Sequence, residues 1–189
     1  MPYTKLDDAF EDHAQAMGSL YLLREVIRQV AYACSMALNR GGTLYFCGNG
    51  GSAADCQHIA AELVGRFKKE RMALAAVALT TDTSILTAIA NDYGYEYVFS
   101  RQLAATICPK DILFCLSTSG NSPNVLHAAE VARRNDATVV AMTGSPGGEL
   151  WHRADYNLTV GSGDTARIQE AHIFLGHCLC DLIEGEMSC

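Results

Sequence analysis

The residues best suited to chemistry fall in two short runs, Gly48-Asn49-Gly50-Gly51-Ser52 and Ser117-Thr118-Ser119-Gly120-Asn121-Ser122. Each follows an apolar, strand-like run and precedes a helix-like one. Glycine lets the backbone turn tightly and a ligand approach it closely. Serine and threonine supply short hydroxyl donors. A helix N-terminus behind such a loop presents open N–H groups and the positive end of its dipole to an anion. Two such loops in one small chain point to a phosphorylated small molecule held between them. The first run also fits G-x-G-x-x-A from Gly48 to Ala53, which alone is a weak dinucleotide fingerprint. That reading needs an acidic residue about 20 residues on, at the end of the next strand. Glu70 falls in a basic turn and Asp82 too far along, so a nicotinamide site is disfavoured. No Walker phosphate loop occurs.

Three further clusters are polar. His58 and Glu62 stand four apart on the helix behind the glycine run. They share a face at about 6 Å between Cβ atoms and could bind a metal or move protons. Gln169, Glu170, His172 and His177 lie on the last helix. Spacing alone pairs Gln169 with His172. His177 lies about 12 Å farther along the axis than Gln169, so those two converge on one ligand only if their side chains lean together. Asn91-Asp92-Tyr93-Gly94 reads as a turn at a site edge. His13, His127 and His152 receive no role, and Trp151 and most tyrosines read as packing residues.

The elements that must position these groups follow from periodicity. A helix is expected over 4–38, ended by Arg40-Gly41-Gly42. Strands are expected over 43–47, 74–79, 111–116, 138–142 and 156–160. Helices are expected over 53–66, 84–89, 97–105, 123–134 and, at the C-terminus, 166–186. Residues 67–71 read as a basic, exposed turn. Apolar strands alternating with helices predict an α/β fold with a mostly parallel sheet covered on both faces. Ligands of such sheets bind outside the strand carboxyl ends, where both loops lie. The chain reads as a single domain over 1–189, with its core at 43–163.

Composition narrows the classes. Of the 189 residues 49% are hydrophobic and 19% charged, which excludes a disordered chain. The net charge of −7 argues against nucleic-acid binding, which needs a basic surface. No apolar stretch is long enough for a membrane span, and the N-terminus lacks the basic start and apolar core of a signal peptide. A cytoplasmic location is expected. Eight cysteines without an export signal or a C-x-x-C pair read as small core residues, with Cys189 a terminal free thiol. Cys178 and Cys180 fall roughly 200° apart around a helix, unsuited to one metal.

Taken together, Gly48–Ser52 with Gln57-His58 and Glu62, then Asn91-Asp92, Ser117–Ser122, and Ile168-Gln169-Glu170 with His172 and His177, resemble the phosphoheptose isomerases, which are built on the sugar isomerase (SIS) domain. The resemblance covers essentially the whole chain. It implies a flavodoxin-like three-layer sandwich around a five-stranded parallel sheet, and a homotetramer with sites between subunits. It implies one Zn2+ per subunit, bound by His58, Glu62, Gln169 and His177, a set that overrides the spacing preference for His172. It implies a phosphate site at Ser52, Ser117, Thr118, Ser119 and Ser122. Asn49, Gly50, Gly51, Asn91 and Asp92 would line the rest of the sugar site, with Glu62 and Gln169 also touching substrate.

The activity implied is conversion of D-sedoheptulose 7-phosphate to D-glycero-D-manno-heptose 7-phosphate through an enediol, the first step towards nucleotide-activated heptose for lipopolysaccharide or capsule. Glu62 would be the base and His177 its acid/base partner. A carboxylate bound to zinc is a weaker base, so the two tasks of Glu62 pull against each other. Two departures stand out: Cys56, where relatives often carry alanine or methionine, and Ala166, where some carry an aspartate whose contribution is either taken over by Asp164 or absent. The alternatives are a non-enzymatic SIS-domain regulator that binds a partner, disfavoured by the presence of Glu62, Gln169 and His177 together, and an isomerase of a shorter sugar phosphate.

Overall fold

Alternation along the strands explains the layers. In the computed structural model, which describes residues 2–187, Leu44 and Phe46 point to one face of the sheet and Tyr45 and Cys47 to the other, and each face has its own apolar core. The end points of the expected domain and Cys189 lie outside the described residues. Strands β1 (Leu44–Gly48), β2 (Ala76–Ala78), β3 (Ile112–Ser117), β4 (Thr138–Gly144) and β5 (Tyr156–Val160) form one sheet in the order β2-β1-β3-β4-β5. All pairs are parallel. Phe46 stacks on its neighbour Phe114 with ring centroids 4.8 Å apart.

The helices are α1 (Pro2–Ser19), α2 (Arg24–Asn39), α3 (Gly51–Val64), α4 (Thr83–Asp92), α5 (Ser100–Thr106), α6 (Pro123–Arg134) and α7 (Thr165–Met187). Residues of α1, α2, α3 and α7 fill the Phe46 face, and residues of α5 and α6 fill the other, with α4 packed at its edge. The result is the flavodoxin-like sandwich. Its strand order reverses direction between β1 and β3, the switch point at which such sheets bind ligands. Gly48 and Leu116 are register partners there, so the glycine and serine runs leave the sheet side by side. Among the described residues no helix is long and apolar enough to cross a membrane.

Three expectations need correction. The N-terminal helix is not continuous: a 3-10 turn at Leu20–Leu23 divides it. Ser19 bonds back to the Ala16 carbonyl at 2.6 Å and accepts the Gly161 N–H at 2.9 Å, which draws the chain out of line just after Gly18. Asn91 and Asp92 form the last turn of α4 rather than a loop, because Asp82 caps that helix by accepting the Ile85 N–H and starts it early enough to reach them. The turn at 67–71 is not wholly exposed: the Arg71 side chain is buried in an ion pair with Glu184.

Candidate active site

The two loops converge because both follow adjacent strands, and the helices behind them begin without side-chain caps. Asp82 caps α4, and Asp164 caps α7 by accepting the N–H groups of Ala166 and Arg167 at 2.8 and 3.0 Å. No side chain caps α3 or α6. The N-cap of α3 is Gly50, at φ +57°, and α6 starts on Pro123, which has no N–H to satisfy. α2 and α5 also begin without a side-chain cap, but the open ends of α3 and α6 are the ones behind the two loops at the switch point, where an anion can take their donors. Asp164, bound to its own helix start, is occupied as a cap.

Ser117 and Ser122 close the serine loop with their hydroxyls 3.0 Å apart. Ser119 accepts the Asn121 N–H, and the Thr118 carbonyl accepts the Gly144 N–H. Ser52 is buried on the first turn of α3. Asn49 reaches across to Asn124, a residue the sequence did not single out. Each amide donates to the other, at 2.9 and 2.8 Å, and the Tyr95 hydroxyl donates to the same Asn49 oxygen. This clip joins the glycine run to the start of α6 beside a cleft of about 590 Å³ that Tyr95, Glu96 and His127 help to line. Asn91 donates to Asp92 at 2.8 Å one turn upstream of Tyr95. Asn124→Ala is expected to free the two loops from each other and raise KM for a sugar phosphate about tenfold, with kcat less affected. Steady-state kinetics would show it.

His58, Glu62 and His177 come together where α3 and α7 lie side by side. The Nε2 atoms of the two histidines are 3.0 Å apart, and His58 Nε2 is 3.4 Å from Glu62 Oε1. One donor atom from each lies within 4.8 Å of the others, an arrangement able to hold a metal ion. Two imidazole nitrogens and a carboxylate suit Zn2+, which binds each at about 2.0–2.2 Å. Gln169 stands elsewhere in the single chain. A Cβ on Gly51 would fall 2.6 Å from its amide nitrogen, which places Gln169 against the glycine run, about 10 Å along α3 from His58. A side chain at position 51 would have to push the flexible Gln169 amide aside.

Two neighbours sharpen the electrostatics. Asp55, one turn before His58, has its pKa raised to about 6 by burial, with His58 pulling the other way, and its Oδ2 has no hydrogen-bond partner. Only its spacing from His58 marks it in the sequence. His172 is fully buried against the sheet, where desolvation lowers its pKa to about 4 against a small pull from the Thr143 backbone. Neither ring nitrogen has a well-aligned partner. It is a neutral core residue, remote in character from the half-exposed His58. Cys56 is also fully buried, with its thiol pushed up chiefly by desolvation, so it packs against the sheet rather than joining the donors.

A parallel sheet with two glycine- and serine-rich loops at its switch point is the architecture of a doubly wound ligand-binding domain, and the SIS domain family matches residues 13–144. A phosphoheptose isomerase of Helicobacter hepaticus is 50% identical over 183 residues, 97% of this chain and 93% of that protein. One of Akkermansia muciniphila is 56% identical over 161 residues, 85% of each chain. The solved phosphoheptose isomerase of Neisseria gonorrhoeae superposes with a TM-score of 0.92 at 44% identity, covering 98% of this chain and all of that one. The chain belongs to the phosphoheptose isomerase family.

Proposed function

We propose that the protein interconverts D-sedoheptulose 7-phosphate and D-glycero-D-manno-heptose 7-phosphate, supplying heptose for a surface glycan. The observation that carries this reading is the His58–Glu62–His177 cluster on helices that also bear the anion-binding loop and Gln169. The hydroxyls of Ser117, Thr118, Ser119 and Ser122, with Ser52, hold the phosphate. Asn49, Gly50, Gly51, Asn91 and Asp92 line the sugar chain. Ketose-to-aldose isomerisation moves one proton between C1 and C2 through an enediol. Glu62 takes the proton from C1 and returns it at C2, while His177 moves the proton between the two oxygens. A positioned base of this kind contributes about 10²–10⁴-fold. Zinc, held by His58, Glu62, His177 and Gln169, would polarise the carbonyl.

The distance between Gln169 and the other three donors supports a site shared between subunits of a homotetramer, with Gln169 and the phosphate loops of one chain facing the cluster of its neighbour. Leu6, Phe10, Tyr21, Leu22 and Tyr32 on the N-terminal helices, and Phe174 on α7 between Gln169 and His177, are exposed in the single chain and supply apolar surface for such contacts.

The test is an NMR assay of the purified protein with sedoheptulose 7-phosphate, repeated after chelation and after zinc is restored. The aldose heptose phosphate is expected to form, to stop forming on chelation and to return with zinc. No conversion by the zinc-loaded protein would overturn the reading. Turnover of a pentose phosphate in its place would move the substrate to a shorter sugar.

A further inference from the structure

We propose that Glu184 and Arg71 are positioning residues: through the segment 65–71 they orient His177 by way of Phe67 and fix the helical turn that carries Glu62. This rests on His58, Glu62 and His177 being the metal-binding and catalytic cluster.

Glu184 lies on α7 seven residues beyond His177, with its side chain only 1% exposed. Its carboxylate accepts the N–H groups of Phe67, Lys68 and Lys69 at 3.0, 2.7 and 2.7 Å and faces Arg71 Nε at 3.1 Å. Burial raises its pKa, but the three N–H groups and the guanidinium outweigh that and hold it below the usual carboxylate range. Three successive backbone donors closing on one carboxylate form an anion nest. A nest of this kind fixes the backbone that makes it.

Two consequences reach the cluster. The Phe67 ring, set by the nest, stacks on His177 with centroids 5.5 Å apart and planes 22° from parallel. Metal-binding histidines are ordinarily oriented by a hydrogen bond from their second ring nitrogen. Among the described residues, the only hydrogen-bond partner of the His177 ring is His58. The Phe67 face therefore takes over the task of setting the ring so that Nε2 points at His58 and Glu62. Arg71, for its part, donates through Nη2 to the Glu62 carbonyl at 2.9 Å and through Nη1 to the Gly65 carbonyl at 3.3 Å. Glu62 sits in the last turn of α3, whose carbonyls have no partner within the helix. Arg71 ties that turn down.

A buried ion pair is weak evidence for stability, since apolar residues of like volume often serve as well. An apolar pair at 71 and 184 would fill the space, but it would neither bind three successive N–H groups nor reach the Glu62 carbonyl. What the charges add is geometry at the cluster.

The experiment compares Phe67→Leu, Phe67→Tyr, Glu184→Gln and Arg71→Met with the parent protein. The readouts are circular dichroism, sedimentation, zinc affinity by competition with a chelating dye, the visible spectrum of the cobalt(II) form, and kinetics. Phe67→Leu is expected to fold and assemble normally, to weaken zinc about 10–100-fold, to shift the cobalt bands and to lower kcat with KM nearly unchanged. Phe67→Tyr, which keeps the ring face, is expected to keep zinc affinity, cobalt bands and kcat at parental values. Glu184→Gln and Arg71→Met are expected to follow Phe67→Leu where they fold. A folded Phe67→Leu protein with parental zinc affinity, cobalt spectrum and kcat overturns the proposal whatever the other variants do. If the parent protein binds cobalt but leaves sedoheptulose 7-phosphate unchanged, the functional reading fails alone, and the metal measurements still decide the positioning role.

Discussion

Glu62→Gln is expected to lower kcat on sedoheptulose 7-phosphate by at least about 10³-fold while the protein stays folded and assembled. The amide is isosteric with the carboxylate but cannot take a proton from C1, and a positioned base is worth about 10²–10⁴-fold. A second loss adds to the first. Glu62 Oε1 lies 3.4 Å from His58 Nε2 within the three-donor group, and a neutral amide is a poorer partner for a cation than a carboxylate. The fold has little stake in this side chain, which is one-quarter exposed and leaves its backbone carbonyl to Arg71. Three measurements separate the contributions: kcat, zinc content, and exchange of the C1 proton with deuterated solvent. Zinc retained with exchange abolished assigns the base. Zinc lost together with exchange assigns Glu62 mainly to the metal. Full turnover in the variant would remove it from the chemistry.

Much of this arrangement is legible in the sequence because the signals are local. Leu44-Tyr45-Phe46-Cys47 is apolar throughout, as a strand covered on both faces must be, and the loops behind β1 and β3 announce themselves by glycine and serine. The pairing of His58 with Glu62 follows from one helical turn. The obscure parts depend on partners distant in sequence. Arg71 reads as one more cation in a basic turn, because the carboxylate that buries it is Glu184 at the far end of the chain. Asn124, next to Pro123, reads as ordinary helix-start chemistry until β1 and β3 bring Asn49 beside it. His172 stands at the better spacing from Gln169, yet α7 turns it into the sheet. Periodicity says which residues share a face of α7 and leaves open which face meets α3. The cluster with His58 and Glu62 needs His177 on the partly buried face that meets α3, and that is settled only by packing.

The same dependence on distant backbone makes Gly120 a sensitive position of the serine loop. Gly120→Ala is expected to destabilise the protein by about 3 kcal/mol and to weaken phosphate binding at the same time. Gly120 sits at φ +67°, a conformation that costs an L-residue about 1–2 kcal/mol. A Cβ there would also overlap the carbonyl oxygen of Gly147, a backbone atom that no rotamer change can clear. Gly147 cannot simply retreat. The Leu150 N–H donates to the Gly120 carbonyl at 3.0 Å, and the Glu149 N–H donates to the Asn121 side chain at 2.9 Å. The serine loop and the turn at 144–150 are thus latched to each other, and the strain displaces both. A domain of this size loses about 2–4 °C of Tm per kcal/mol, so a fall of roughly 6–12 °C is expected by calorimetry. With Ser119 and Ser122 as the proposed phosphate donors, a shift of even an ångström would spoil several contacts together. KM is therefore expected to rise at least about tenfold, with inhibition by inorganic phosphate weakening in step. Gly163→Ala is the control: its added methyl meets nothing within 4 Å, and its Tm and KM should stay at parental values. A Gly120→Ala protein that melts and binds phosphate like the parent would show that the latch between the loops is slack, and the phosphate site would then have to be held by the uncapped N-terminus of α3 rather than by the serine loop.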